Sequence, residues 1–216
     1  MNLIALVGFK GSGKDTAGRF LVDNYGYRSF SFAESLKDAL ASIFCWDREL
    51  LEGATAESRT WRETVDPWWS AKLGIENFTP RLAMQLVGTN VFRQHFNPDI
   101  WILNIERKLS LLPDDANVVI CDARFPNEID LSRTFGGRVI RVKRGPEPEW
   151  VEVAKAANRR PNSSGIPYAV DAREMMNDHF KVHESEWAWL GTKIDDTIEN
   201  DLSIMHLHAE VLRVCI

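Results

Sequence analysis

The feature that most restricts this chain is Gly8-Phe9-Lys10-Gly11-Ser12-Gly13-Lys14, a match to G-x-x-x-x-G-K. It stands directly behind five apolar residues, Leu3-Ile4-Ala5-Leu6-Val7. So short a continuous apolar run, stopped by glycine, reads as a strand buried on both faces, as in a parallel sheet. From Lys14 onward, Ala17, Phe20 and Leu21 share one helical face, and Gly26 supplies a stop. Strand, glycine turn and helix in that order form an anion site. The glycines let backbone N–H groups curl around phosphate oxygens, the helix N-terminus adds partial positive charge, and Lys14 reaches the outer phosphates. The expected ligand is a nucleoside triphosphate, ATP first among them.

One position departs from the usual pattern. The residue after the loop lysine is ordinarily Ser or Thr, whose hydroxyl binds Mg²⁺. Here it is Asp15, followed by Thr16. Either the Asp15 charge favours the ion, directly or through water, or Thr16 supplies the hydroxyl. Both stand as the metal residues.

Downstream, strand and helix signals alternate. Residues 28–32, 118–121, 138–142 and 192–198 read as strands. Residues 34–44 read as a helix with Leu36, Ala39, Leu40, Ile43 and Phe44 inward, and 125–135 as one ended by Gly136-Gly137. Thr79-Pro80 starts a helix reaching about residue 95, and Asn97-Pro98 starts another through 111. Residues 203–216 form a closing helix with Leu202, Met205, Ala209 and Leu212 on one face. The sum is an α/β fold with a mostly parallel central sheet flanked by helices. One domain is expected over 1–216, with a partly helical, tryptophan-rich insertion at about 45–79. A polar, lid-like excursion with four prolines follows at about 145–177.

Charge and cysteines narrow the setting. Lys and Arg number 26 against 31 Asp and Glu, a formal charge of −5, which lacks the basic face of a general nucleic-acid binder. Cys45, Cys121 and Cys215 show no metal spacing and suit a reduced, cytoplasmic setting. No apolar run is long enough to span a membrane. His179 and His183 lack the H-E-x-x-H spacing and an evident third ligand.

Two further groups of residues carry chemistry. Asp122 ends the second buried strand but Ala123, not Glu, follows, and no N-K-x-D guanine signature exists; both facts disfavour a motor ATPase or a switch GTPase. Ligands of open α/β sheets lie beyond the carboxyl ends of strands, so Asp122, Arg124 and Glu128 are expected to face the loop at Gly8. Arg124 there clamps a phosphate, or else Asp and Arg pair to cap the next helix. On the helix after Pro80, Arg81, Gln85, Gly88 and Thr89 fall on one helical face. That face suits an anionic head group with a base or sugar, or is an ordinary solvated face. Trp101 stacks on a base or packs in the core.

Taken in order, these stretches resemble the phage deoxynucleoside monophosphate kinases. The resemblance rests on Gly8 to Thr16 with Asp15 after the lysine, Arg81-x-x-x-Gln85-x-x-Gly88-Thr89, Trp101 beyond it, and Asp122-x-Arg124-x-x-x-Glu128. A looser match runs through Arg144-Gly145, and His183 with Glu186 resembles a family H-x-x-E feature. The resemblance implies a P-loop kinase fold and transfer of the γ-phosphoryl of ATP to a deoxynucleoside monophosphate. Lys10, Gly11, Ser12, Gly13, Lys14, Asp15, Thr16 and Arg144 would serve ATP and Mg²⁺. Arg81, Gln85, Gly88, Thr89, Trp101, Asp122, Arg124 and Glu128 would serve the acceptor, with Lys14, Arg81, Asp122 and Arg124 catalytic. Arg144, Arg159 and Arg160 are candidate lid cations, or ordinary solvated surface charges. Small-molecule nucleotides are the expected partners, with no nucleic acid and no membrane; a homodimer stays open. If the gene is a phage's, the compartment is the host cytoplasm. Two alternatives stay open: a kinase of another phosphorylated metabolite, such as phosphomevalonate or dephospho-coenzyme A, and a nucleotide-gated binding protein.

Overall fold

The computed structural model describes residues 1–159 and 167–216. It opens with strand β1 (Asn2–Val7), helix α1 (Lys14–Tyr25) and strand β2 (Arg28–Phe30). Six helices follow: α2 (Glu34–Phe44), α3 (Arg48–Glu52), α4 (Ala56–Glu63), α5 (Pro67–Leu73), α6 (Pro80–Gln85) and α7 (Ile100–Ser110). Then come β3 (Asn117–Ile120), α8 (Pro126–Thr134), β4 (Arg138–Lys143), α9 (Val151–Ala157), α10 (Pro167–Glu174), β5 (Asp196–Glu199) and α11 (Ile204–Cys215). Among the described residues, no helix is long and apolar enough to cross a membrane.

The chain packs as two units, Met1–Ser31 with Leu111–Ile216, and Phe32–Ser110. The first unit holds the whole sheet, five strands in the order β2-β3-β1-β4-β5, every pairing parallel. Central β1 is apolar on both faces because both are covered: Leu3 to Val7 are all buried. Ile4 and Leu6 share a core with Ala17 and Leu21 of α1 and Leu207, Val211 and Val214 of α11. Gly26 takes the left-handed conformation that stops α1, as its position predicted.

The second unit is helical. Its core gathers Leu36, Leu40 and Phe44 of α2 with Leu51, Phe78, Ala83 and Trp101, and Trp46, Trp61 and Trp69 pack around it. The segment read as an insertion, 45–79, supplies α3, α4 and α5. Asp47, Thr55 and Asp66 cap these helices, each accepting backbone N–H bonds.

Four expectations need correction. Ile43 is not inward but 57% exposed, because the stripe four residues apart through Leu36, Leu40 and Phe44 takes the core. On α11 the buried residues are Leu207, Val211, Val214 and Cys215, while Met205, and Leu202 just ahead of the helix, are exposed. Met205, Ala209 and Leu212 have the same spacing, so periodicity alone could not choose between the stripes. The helix after Thr79-Pro80 does reach residue 96, but Leu86–Phe96 is π-helical, closed by Asn97 N–H donating to Phe92 O at 2.8 Å. The described part of the excursion at 145–177 is less loose than its polarity suggested. Val151, Ala154 and Ala157 bury one face of α9, and Asn158 Nδ2 donates to the carbonyls of Trp187 and Leu190, each at 2.9 Å. Arg160 lies outside the described residues.

Candidate functional site

The phosphate loop is shaped by residues that only glycine can satisfy. Gly8 has φ +144°, and a Cβ there would overlap the carbonyl oxygen of Val142 on β4. Gly13 has φ +104°, and a Cβ there would overlap the Asn200 side-chain amide. Gly18, one turn into α1, lies so close to Cys121 Sγ that a Cβ has no room, which lets α1 sit down on the end of β3. Phe9 anchors the loop, its ring 5.2 Å from those of both Trp150 and Trp189.

What the loop encloses is polar and unsatisfied. Gly13 occupies the N-cap of α1, and no side-chain cap hydrogen bond is made there among the described residues. The helix's first N–H donors are among the orphans that every helix start must place on something. Ser12 is 4% exposed and its Oγ has no hydrogen-bond partner among the described residues. Lys14 Nζ lies over the loop, donating to Gly8 O at 2.7 Å and Phe9 O at 2.8 Å. Burial pushes its pKa below the ordinary lysine value; Asp15 opposes this, and Arg124 adds to it. A cavity of about 340 Å³ opens here, lined by Gly11, Gly13, Lys14, Asp15, Thr16, Arg144 and Asn200, with Leu202, Ile204 and Leu207. Asp15 and Thr16 thus share its wall, a carboxylate and a hydroxyl of the hard-oxygen kind that Mg²⁺ takes. Lys10 is exposed at the loop's tip.

The strand end after β3 belongs to the same unit. Asp122 Oδ2 accepts from Ser31 Oγ at 2.6 Å. Arg124 Nη1 donates to Glu186 Oε1 at 2.9 Å and to Ser185 Oγ at 3.3 Å. Both members of that ion pair are partly exposed, and such pairs contribute only about 0–1 kcal/mol, so an arriving phosphate can displace Glu186. Glu128 points elsewhere. It is 3% exposed, and its Oε2 accepts from the backbone N–H of Arg124 at 2.8 Å and of Phe125 at 3.2 Å, at the start of α8. Cys121, beside Asp15 and Asp122, is pushed up to about 12, chiefly by burial, and is no nucleophile.

In the second unit the four residues expected on one face separate. Arg81, Gln85 and Thr89 are exposed, but Gly88 is buried. A Cβ on Gly88 would come 2.5 Å from Leu36 Cδ2, so this glycine admits α2. The change from α6 to π geometry at Leu86 turns the helix face between Gln85 and Gly88. Trp101 is 8% exposed, edge-on to Phe92, with Nε1 donating to Gly88 O at 3.1 Å. Arg81 Nε donates to Glu63 Oε1 at 3.0 Å.

Sequence reasoning passed over Asn200 and Ser31. Asn200 stands just beyond the carboxyl end of β5, where the rule that flagged Asp122 applies equally. Ser31 had no signal beyond following β2.

The family model for deoxynucleotide monophosphate kinase matches residues 2–62. The protein named "Putative deoxynucleotide monophosphate kinase" from Acanthamoeba polyphaga mimivirus is 35% identical over 160 residues, covering 67% of this chain and 75% of that one. The deoxynucleoside-5′-monophosphate kinase of Escherichia phage T5 is 28% identical over 233 residues, covering 81% and 89%. Among solved structures, a dephospho-CoA kinase from Campylobacter jejuni aligns at a TM-score of 0.43 with 16% identity, over 99% of this chain and 95% of that one. With a relative this similar over three quarters of its length, the chain belongs to the deoxynucleotide monophosphate kinase family.

Proposed function

We propose that the chain transfers the γ-phosphoryl group of ATP to a deoxynucleoside 5′-monophosphate, giving the diphosphate. The observation that carries this reading is the loop's interior. A helix start with no side-chain cap, a buried Ser12 hydroxyl without a partner and a partly desolvated Lys14 together await an anion. Family membership supplies the acceptor class.

In this reading Lys10, Gly11, Ser12, Gly13 and Lys14 hold the donor's phosphates, and Arg144 flanks them. Asp15 and Thr16 hold Mg²⁺, which when bound offsets charge on those phosphates. Asp122 fixes Ser31 at the strand end, and Arg124 exchanges Glu186 for the transferring group. Glu128 acts one step back, by holding the Arg124 backbone. In the second unit Arg81 takes the acceptor's phosphate, Gln85 and Thr89 its base or sugar, and Gly88 and Trp101 fix the helix that carries them. The acceptor is already an ionised phosphate near neutral pH, so positioning and charge stabilisation suffice without a strong base. Residues 145–177 act as the lid, with Arg159 on it. A reduced, cytoplasmic setting suits Cys45, Cys121 and Cys215 as free thiols.

A coupled assay with ATP, Mg²⁺ and each ribo- and deoxynucleoside monophosphate tests the reading. ADP formed only with a deoxynucleotide present is the expected result. ADP without any acceptor, or none with every acceptor, overturns it.

A further inference from the structure

Asn200 is 8% exposed and has no place in the roles assigned above. Its backbone N–H donates to Lys143 O at 2.8 Å, extending the β4–β5 ladder by one bond. Its side-chain Nδ2 donates to Ser12 O at 2.8 Å, a bond 188 residues apart in sequence and fully buried. The same amide stands where a Cβ on Gly13 would lie. It also lines the cavity with Lys14, Asp15, Thr16 and Arg144.

The consequence follows from peptide geometry. The chain has no cis peptide bond among its described residues, so the Ser12 C=O and the Gly13 N–H point in opposite directions from one plane. With Ser12 O drawn to Asn200, the Gly13 N–H is turned away from Asn200. It then joins the donors at the start of α1. Without the bond, this glycine-flanked peptide is free to rotate, because glycine populates both signs of φ. Rotation would aim a carbonyl oxygen at a bound phosphate.

We infer that Asn200 is a positioning residue for the triphosphate. Its amide sets the Ser12–Gly13 peptide so that an N–H, not a carbonyl oxygen, faces the donor's phosphates. The inference rests on the phosphate-loop part of the proposed function and adds a residue that acts through another.

Asn200→Asp is the informative variant, because it keeps the shape but sets a carboxylate oxygen against the Ser12 carbonyl. Binding of ADP is measured by calorimetry without acceptor, and KM for ATP and for a deoxynucleoside monophosphate with it. The expected result is that Asn200→Asp weakens ADP binding and raises KM for ATP at least about tenfold, more than Asn200→Ala does. The acceptor KM should stay within about twofold, and melting temperature is followed in parallel. Lowering the pH should partly rescue Asn200→Asp, since a protonated carboxyl can again donate to Ser12 O. Lys14, Asp15 and Arg144 line the same cavity, and Lys143, Glu199 and Asp201 lie along the chain there; the unsubstituted protein's pH profile, run alongside, carries their contribution. A purely packing role gives the reverse order, with the isosteric Asp mild and Ala worse, and overturns the inference. Should Asn200→Asp fail to fold, unchanged ADP binding by Asn200→Ala overturns it equally. An unsubstituted chain that binds ADP but phosphorylates no deoxynucleotide sinks the kinase reading and leaves this one standing. A chain that binds no ADP sinks both.

Discussion

The two units carry their candidate residues in different ways. In the sheet-bearing unit the groups aimed at a ligand are mostly backbone. Gly8 and Gly13 take positive φ, the α1 N-terminus is uncapped, and Ser12, Lys14 and Asn200 are bonded or buried around them. In the helical unit the candidates are exposed side chains, Arg81, Gln85 and Thr89, on a helix that changes from α to π geometry between them. In the proposed function the first arrangement, being backbone, is indifferent to the ligand's base, as a site for the donor's phosphates requires. The second can change one side chain at a time, which is where selectivity for an acceptor is free to evolve.

That contrast predicts unequal damage. Lys14→Ala should lower turnover most, by about 10²-fold or more, because it removes charge aimed at developing negative charge. Stability should hold or rise slightly, since the lysine is held partly desolvated. Arg124→Ala should follow closely, with its partner Glu186 only partly buried and easily resolvated. Near-normal turnover in either variant, with melting temperature as the folding check, breaks the donor half of the comparison. Glu128→Gln should cost less, about tenfold in turnover and about 1 kcal/mol in stability, since it weakens a cap and moves Arg124 indirectly.

The same contrast explains what the sequence made legible. The apolar run before Gly8, the glycine spacing and the Thr79-Pro80 start are local signals, and each produced the element expected from it. The α11 stripe was misread because two stripes share one spacing. The Leu207, Val211 and Val214 set wins through its packing with α1 and the sheet, Ile198 of β5 included, which no local pattern encodes. The π stretch has no spacing signature of its own either, so Gly88 was placed beside Arg81 when it packs under Leu36. Asn200 is the clearest case. The strand-end rule could have marked its position, but its partner Ser12 lies at the opposite end of the chain, and no local pattern pairs the two until the sheet is assembled.

In the helical unit the effects should divide by function. Arg81→Ala should raise KM for the acceptor about tenfold or more while KM for ATP stays within about twofold, since it removes a charged hydrogen bond to one ligand only. Equal loss for both ligands would merge what the comparison separates. Gly88→Ala should act through packing instead, destabilising by about 1–3 kcal/mol as the added methyl meets Leu36 Cδ2. Denaturant unfolding measures that, and ADP binding should be untouched in the folded fraction.

The smallest expected effect is on pH, and it sharpens the account of Lys14. Burial disfavours its charged form, so its folded pKa lies below the ordinary 10.5. Between the folded pKa and 10.5 the unfolded chain binds more protons, so this residue makes stability rise with pH across that window. Nucleotide binding runs the other way. An anionic phosphate chain favours the protonated lysine, so affinity for ADP should fall as pH climbs through the folded pKa, earlier than an unperturbed lysine would allow. Lys14→Arg keeps its charge over the whole range and should lose that alkaline decline, even though its fork fits the loop less well. Calorimetry in buffers of different ionisation enthalpy should also register net proton uptake on binding by the unsubstituted chain at alkaline pH, and less by Lys14→Arg. An alkaline decline of equal size in both proteins would place the titrating group elsewhere, and burial of Lys14 would then have no part in how the loop holds its anion.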